Sequence, residues 1–279
     1  NAETTGYLFQ KAEEVRKQQF DKEVYLWGRL PFSNYCKNDC NYCGLRRSNR
    51  FVKRYRMNMK EILQYLRELR VNNNRDWFNT HKDRYLELRL YFQNKMDELI
   101  QRIATFDEEL RGEEAKNCLY RIYRDTRFSP DKTPYKNHFA AYLCKGGRKS
   151  VRAGYYFHIE PENCLISGGV WCPEPKLLKE LRQSVYNHTD EFKEIIENKK
   201  FKAVYPEMEG EMLKIVPRPF PRDFQDGELL KRKDYVVVSY KEESLFDTSE
   251  WMDKVVGDFK LLMPFNRFLN YTVDDVYDL

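Results

Sequence analysis

Apolar positions along the chain recur with a helical period toward both ends and with a period of two in the middle. In YLFQKAEEVRKQQF (7–20), Leu8, Ala12, Val15 and Phe20 fall near one face and predict a short amphipathic helix. EVYLWGRL (23–30) reads as a strand. Met59, Ile62, Leu63, Leu66 and Leu69 then predict a second helix from about Met59 to Val71. The polar turn NNNRDWF (72–78), rich in residues that cap helices and tolerate unusual backbone angles, leads into a long helix reaching about Phe106.

Between Cys118 and Trp171 the period changes. CLYRIYR, HFAAYLC, VRAGYYFHIE and CLISGGVW read as strands punctuated by a KGGRK hairpin turn and a PEN turn, an antiparallel meander. Alternation puts Tyr155, Phe157 and Ile159 on one face and Tyr156, His158 and Glu160 on the other. The second set is the better candidate for a ligand wall, with core packing against the returning helices as the plainer account. PEPKLLKELRQSVYNH and TDEFKEIIEN are helical, DYVVVSY is a further strand, and SEWMDKVVGDFKLLMPF predicts a closing helix ending near Pro264. Helices, then strands, then helices indicate an α+β fold: a central antiparallel sheet flanked by helices, preceded by a helix-strand-loop segment.

Composition narrows the class. The 279 residues, 41% hydrophobic and 15% aromatic, suit one large or two ordinary folded domains, and a mean hydropathy of -0.81 without a long uncharged apolar run excludes a membrane span. The chain opens on Asn1 in helical text, so sequence upstream is expected; no export signal is seen, and a cytoplasmic protein is expected. Seven cysteines, three of them clustered, suit reduced thiols better than a disulfide framework. The net charge of +5 comes from residues 1–57, with 12 Lys and Arg against 6 Asp and Glu, whereas the rest has 37 against 38. Bulk charge therefore gives no support for a nucleic-acid partner.

The clustered thiols carry the clearest chemistry. CKNDCNYC places Cys36, Cys40 and Cys43 so that one short loop can offer three thiolates to three corners of a [4Fe-4S] cluster. The fourth iron would be left open to chelate S-adenosylmethionine. A zinc knuckle or three incidental cysteines is the alternative. FSNYCKNDCNYCG, with Tyr42 before the last cysteine, and the RRSN and RYR that follow resemble the [FeFe]-hydrogenase maturase of the biotin-synthase-like radical SAM group over roughly residues 7–57. That resemblance implies a metal site at Cys36, Cys40 and Cys43 and an iron-sulfur protein related to hydrogenase maturation. It also implies a barrel fragment, since the (β/α) barrel of such enzymes needs upwards of about 200 residues. The Gly-Gly-Glu-like segment that grips the cofactor's methionine end has no counterpart, because the Gly-Gly pairs here continue as GGR and GGV. S-adenosylmethionine is not expected to bind, nor radical catalysis to occur, in so truncated a segment.

Residues 57–279 resemble an uncharacterised bacterial and fungal family, the domain of unknown function 2461, through NNNRDWFNTHKDRY, RIYRDTRFSPDKTPYKNHFAAY, AGYYFHIEPEN, GGVWCPEP and LLKRKDYVVV. The chain is thus expected to join a truncated cluster segment, 1–57, to an α+β domain, 58–279.

The family supplies no function, so the residues must. Arg121, Arg124, Arg127, Lys132 and Lys136 interleave with Asp125 and Asp131, and nine basic residues face two acidic ones from Arg121 to Arg152. Arginines rising from a strand into a turn can hold phosphate or carboxylate, with Thr126, Ser129 and Thr133 adding hydroxyls. An unknown anionic small molecule is the expected partner. The competing account pairs Arg with Asp across the turn and locks it against Trp77 and the NNNR corner. An enzyme would use Asp125 or Asp131 as acid/base with Tyr135 or His158 assisting, although neighbouring arginines would lower an Asp pKa and make a poor base. His81, His138, His158 and His188 show no metal spacing, and Cys164 with Cys172 forms no recognised zinc pair. No phosphate loop, dinucleotide fingerprint, nucleophile elbow or His-Glu-x-x-His helix is present.

Overall fold

The computed structural model of the protein describes residues 2–20, 36–51 and 58–279 and divides the chain into two compact units, Asn1–Tyr55 and Arg56–Leu279. The strand expected at 23–30 lies outside the described residues. In the first unit, α1 (Ala2–Phe20) starts earlier than its apolar stripe suggested and carries Lys11–Glu14 and Lys17–Glu13 pairs one turn apart. Its Tyr7, Leu8, Phe9 and Val15 are exposed.

The second unit is an α+β body. It contains α2 (Met59–Val71), α3 (Arg75–Thr80), α4 (Lys82–Ile103) and α5 (Ala115–Cys118), then β1 (Phe139–Leu143), β2 (Gly154–Ile159) and β3 (Cys164–Val170). After these come α6 (Pro175–Asn187), α7 (Thr189–Ile196), α8 (Lys199–Val204), β4 (Met208–Glu209), α9 (Gly227–Leu230), β5 (Tyr235–Lys241) and α10 (Trp251–Tyr277). The strands form one five-stranded antiparallel sheet in the order β1-β2-β3-β5-β4.

The three asparagines of the NNNR corner each have a separate task. Asn72 closes α2 by donating to the Glu68 carbonyl, and Asn74 starts α3 by accepting from Trp77 N at 2.9 Å. Asn73 reaches across to Tyr135, accepting its N–H at 3.1 Å and donating to its carbonyl at 2.9 Å. The corner is thereby pinned to the segment that enters β1.

One sheet face makes the core. Phe139, Tyr155 and Phe157 pack against Phe92 of α4 and against Trp251 and Phe259 of α10. Gly168 lets α10 approach β3: a Cβ there would lie 2.1 Å from Leu262 Cδ2. Asn266 and Asn270, buried in α10, bind the backbone of Gly154 and Ala153 at the start of β2. Satisfying those groups fixes where the helix lies along the sheet.

Several expected elements differ. The long helix divides at Thr80–His81, where the His81 ring stacks on Trp77 at 4.0 Å and its Nδ1 donates to the Trp77 carbonyl. CLYRIYR is not a strand: α5 takes its first residue, and the remainder forms only the isolated bridges Leu119↔Ala141 and Tyr123↔Tyr135. Its facing segment contains Pro130 and Pro134, which have no N–H to continue a ladder. KGGRK forms a short 3-10 turn at Gly147–Lys149 rather than a two-residue hairpin. The closing helix runs through Pro264 to Tyr277, because burying Phe265, Leu269 and Val273 outweighs one lost backbone bond. Among the described residues no helix is long and apolar enough to cross a membrane.

Candidate functional site

The sheet's second face is the floor of a cleft of about 740 Å³. Strand pairing sets Tyr142, Tyr156, Ser167 and Val238 side by side across β1, β2, β3 and β5, all lining it. Tyr156 thus takes the ligand-wall position that alternation assigned it, while Tyr155, Phe157 and Ile159 are buried in the core. The walls come from Trp171–Glu174 after β3, from Leu177 of α6, from Tyr277 at the end of α10, and from Arg148, Ser150, Val151 and Arg152 between β1 and β2. Tyr120, Lys136 and His138 close the remaining side.

The cleft's polar groups differ in availability. The Tyr142 hydroxyl has its one proton placed between the carbonyls of Arg152 (2.6 Å) and Gly169 (3.1 Å), the nearer being the main acceptor, and burial pushes its pKa far above the ordinary value, so it is a fixed structural donor. Arg152 is only 4% exposed and is held by Glu109 at 2.6 Å and by Asp274, which neutralise it. Arg148 spends one N–H on the Asn117 carbonyl. Lys136 is half-buried with its Nζ 5.3 Å from the centre of the Tyr120 ring. Burial, aided by the nearby Arg121 guanidinium, moves its amine below the ordinary lysine value.

Of the five cations expected to bind an anion, Lys136 alone lines the cleft. Arg121 is exposed. Arg124 binds Asp131, Thr133 and Ser129; Arg127 grips Asp125 through two bonds of 2.9 and 2.6 Å; and Lys132 donates to the Thr126 carbonyl. These contacts pair Arg with Asp within the turn itself and do not reach Trp77 or the NNNR corner. Asp125 is lowered to about 2 chiefly by Arg127, and Asp131 to about 2 by the Thr133 N–H and by Arg124. Both are exposed and ionised across the neutral range, which suits a structural brace more than proton transfer.

A second constellation lies beside the cleft. Donor atoms of His138, His158 and Glu160 all lie within 4.8 Å of one another. His158 contacts Tyr156 Oη through Nδ1 at 2.9 Å and Glu160 through Nε2 at 3.0 Å, while Asn163 donates to the same carboxylate at 3.1 Å. The His138 and His158 rings lie 4.4 Å apart. Burial pushes His138 down to about 4, with His158 adding to the shift. Sequence spacing missed this group because His138 precedes β1, whose Phe139 and Ala140 pair with Ile159 and His158. Only the strand register brings the three together. The legible signal was the outward pair His158 and Glu160. His81 and His188 are not among these donors.

Cys36, Cys40 and Cys43 are free, half-exposed thiols on a loop of consecutive turns, with Cys43 N on Cys40 O at 3.1 Å and Arg47 N on Asn38 O at 2.9 Å. Asp39 accepts from Ser48 N at 2.9 Å, and the Ser48 hydrogen bonds lower its pKa. Tyr42 is 93% exposed.

The chain is 45% identical over 60 residues to the [FeFe] hydrogenase maturase subunit HydE of Thermotoga maritima, covering 22% of this chain and 17% of that protein. It is 36% identical over 63 residues to the 3-methylornithine synthase of Methanosarcina barkeri and 39% identical over 61 residues to the 2-iminoacetate synthase of Escherichia coli. These matches cover 23% and 21% of this chain and 18% and 16% of the relatives, so the chain spans under a fifth of their length. No solved structure matches. Residues 61–268, which hold the sheet, the histidine group and all of the cleft but Tyr277, match the conserved hypothetical proteins of DUF2461, and the chain belongs to that family.

Proposed function

We propose that the body binds a small anionic molecule, phosphate- or carboxylate-bearing, in the sheet-face cleft, with Lys136 as the anchoring charge and Arg148 in support. The observation that carries this reading is the half-buried Lys136 over the Tyr120 ring, which in turn packs edge-on to Tyr156 in the same cleft. An amine partly removed from water forms strong charge-assisted bonds, and the aromatic walls suit a planar or ring-bearing ligand. Arg124, Arg127 and Lys132 brace the neighbouring turn in this reading, and an enzyme built on Asp125 or Asp131 is not favoured.

The test is ligand-observed fluorine NMR with 4-fluorophenyl phosphate and 4-fluorobenzoate, and with neutral 4-fluorophenol as comparator. Lys136→Glu is expected to weaken the anions at least about tenfold, a change of roughly 1.4 kcal/mol, and to leave the phenol alone. Undiminished binding of both anions would remove the proposal, and which anion binds more tightly selects the ligand class.

The opening segment supports a second, separate reading, carried by three free thiols on one turn-rich loop. That donor set fits three corners of a [4Fe-4S] cluster, held by Cys36, Cys40 and Cys43. Residues 58–279 form an antiparallel sheet and not the parallel barrel that holds S-adenosylmethionine in such enzymes, so no radical step is assigned. Anaerobic reconstitution should load about four irons per chain in wild type and none in the triple Cys→Ser variant. Equal iron in both would contradict it.

A further inference from the structure

We propose that His138, His158 and Glu160 form a binding site for a first-row divalent cation at the rim of the cleft. The site goes beyond anion binding and does not depend on it. Two imidazoles and one carboxylate, all with donor atoms within 4.8 Å of one another, make the donor set that zinc, manganese and ferrous iron use when coordination positions are left open. It is too rich in nitrogen for magnesium or calcium.

Three features distinguish the group from a chance encounter. It is not a surface cluster: His158 is 7% exposed, and His138 and Glu160 are half-buried. Each of two donors has an outer partner, Tyr156 on His158 Nδ1 and Asn163 on Glu160, the arrangement that fixes ring tautomer and carboxylate direction at metal centres. The donors are also tied to a rigid frame: His158 lies in β2, and His138 and Glu160 sit one residue outside the paired strands β1 and β2.

Without a cation, His158 Nε2–H donates to the Glu160 carboxylate and Nδ1 accepts from the Tyr156 hydroxyl; a cation bound at Nε2 displaces that proton, the neutral ring takes the Nδ1–H tautomer, and the Tyr156 hydroxyl oxygen turns to accept from it. His138 also lines the cleft, so open coordination positions at that end would face its contents.

The probe is Co²⁺, read by its visible absorption, added to the full-length chain carrying Cys36→Ser, Cys40→Ser and Cys43→Ser so that thiolates of the opening segment do not compete. The expected result is one Co²⁺ per chain, with binding weakened at least about tenfold by His138→Ala and by Glu160→Gln, and less by Tyr156→Phe. His188→Ala should bind as the parent does. Both informative positions are half-buried, and circular dichroism shows which variants are folded; Glu160→Gln, nearly isosteric, serves if His138→Ala is not. Absence of Co²⁺ binding by the folded parent, or undiminished binding by a folded Glu160→Gln protein, would overturn the assignment.

Discussion

Gly169→Ala is expected to destabilise the body by about 3–5 kcal/mol, the combined cost of forced backbone conformation and overpacking. Gly169 has φ of +110°, and a Cβ there would lie 2.0 Å from the Tyr235 carbonyl oxygen on the paired strand and 3.0 Å from Phe265 of α10. Neither neighbour can yield: one is ladder backbone and the other is core. Gly112 is the control, because its φ of +81° is also left-handed but nothing lies within 4 Å of the added atom. Gly112→Ala should cost only the conformational part, ~1–2 kcal/mol. Urea unfolding of the two variants measures the difference. A Gly169→Ala protein as stable as Gly112→Ala would show that β3 and β5 do not meet as described.

The second large effect concerns Arg152 and runs against the intuition that the buried residue of an ion pair is the costly one to lose. Arg152 is almost wholly buried, whereas its partners Glu109 and Asp274 keep 45% and 32% of their side chains exposed. Removing the partners strands a cation away from water, which costs about 3–5 kcal/mol. Removing the cation leaves two carboxylates that water can reach. Glu109→Gln with Asp274→Asn is therefore expected to be the more destabilising change, and Arg152→Met the milder, at roughly 1–2 kcal/mol. The same urea experiment decides it, and the reverse order would refute the pairing. The asymmetry bears on the proposed function, because an arginine already neutralised on two sides is a poor anchor for an anion, which is why the proposal gives that role to Lys136.

What could be read in the chain was whatever depends on near neighbours. The alternation of VRAGYYFHIE gave the correct faces of β2, the asparagines of NNNR were correctly read as a capped corner, and the α+β order followed from the change of period. What escaped depends on partners distant in sequence. The approach of His138 to His158 and Glu160 needs the β1–β2 register, and the burial of Arg152 needs Asp274 from the far end of α10. Pro264 looked like a terminator because local rules stop a helix there, while the packing of Phe265 and Leu269 that carries α10 onward is tertiary. The basic turn drew attention for its charge, yet only Lys136, at its end, reaches the cleft, because the intervening Asp125 and Asp131 engage Arg127 and Arg124. Lys136 was picked out as part of the basic turn, but the cleft it lines was not visible until four strands had been placed side by side.

The central claim is that an anion binds in the cleft, and Cys172 is placed to test it. Burial pushes the Cys118 and Cys164 thiols up to about 11 and Cys144 to about 12, whereas Cys172 is exposed at the cleft wall with its N–H fixed by Asp234 at 2.7 Å. Iodoacetamide labelling of the full chain, read peptide by peptide by mass spectrometry, should modify Cys172 before the other three body cysteines. Saturating 4-fluorophenyl phosphate should slow that modification in wild type and not in Lys136→Glu. Cys172 alkylated at the same rate with and without the saturating anion would place the ligand elsewhere and contradict the account.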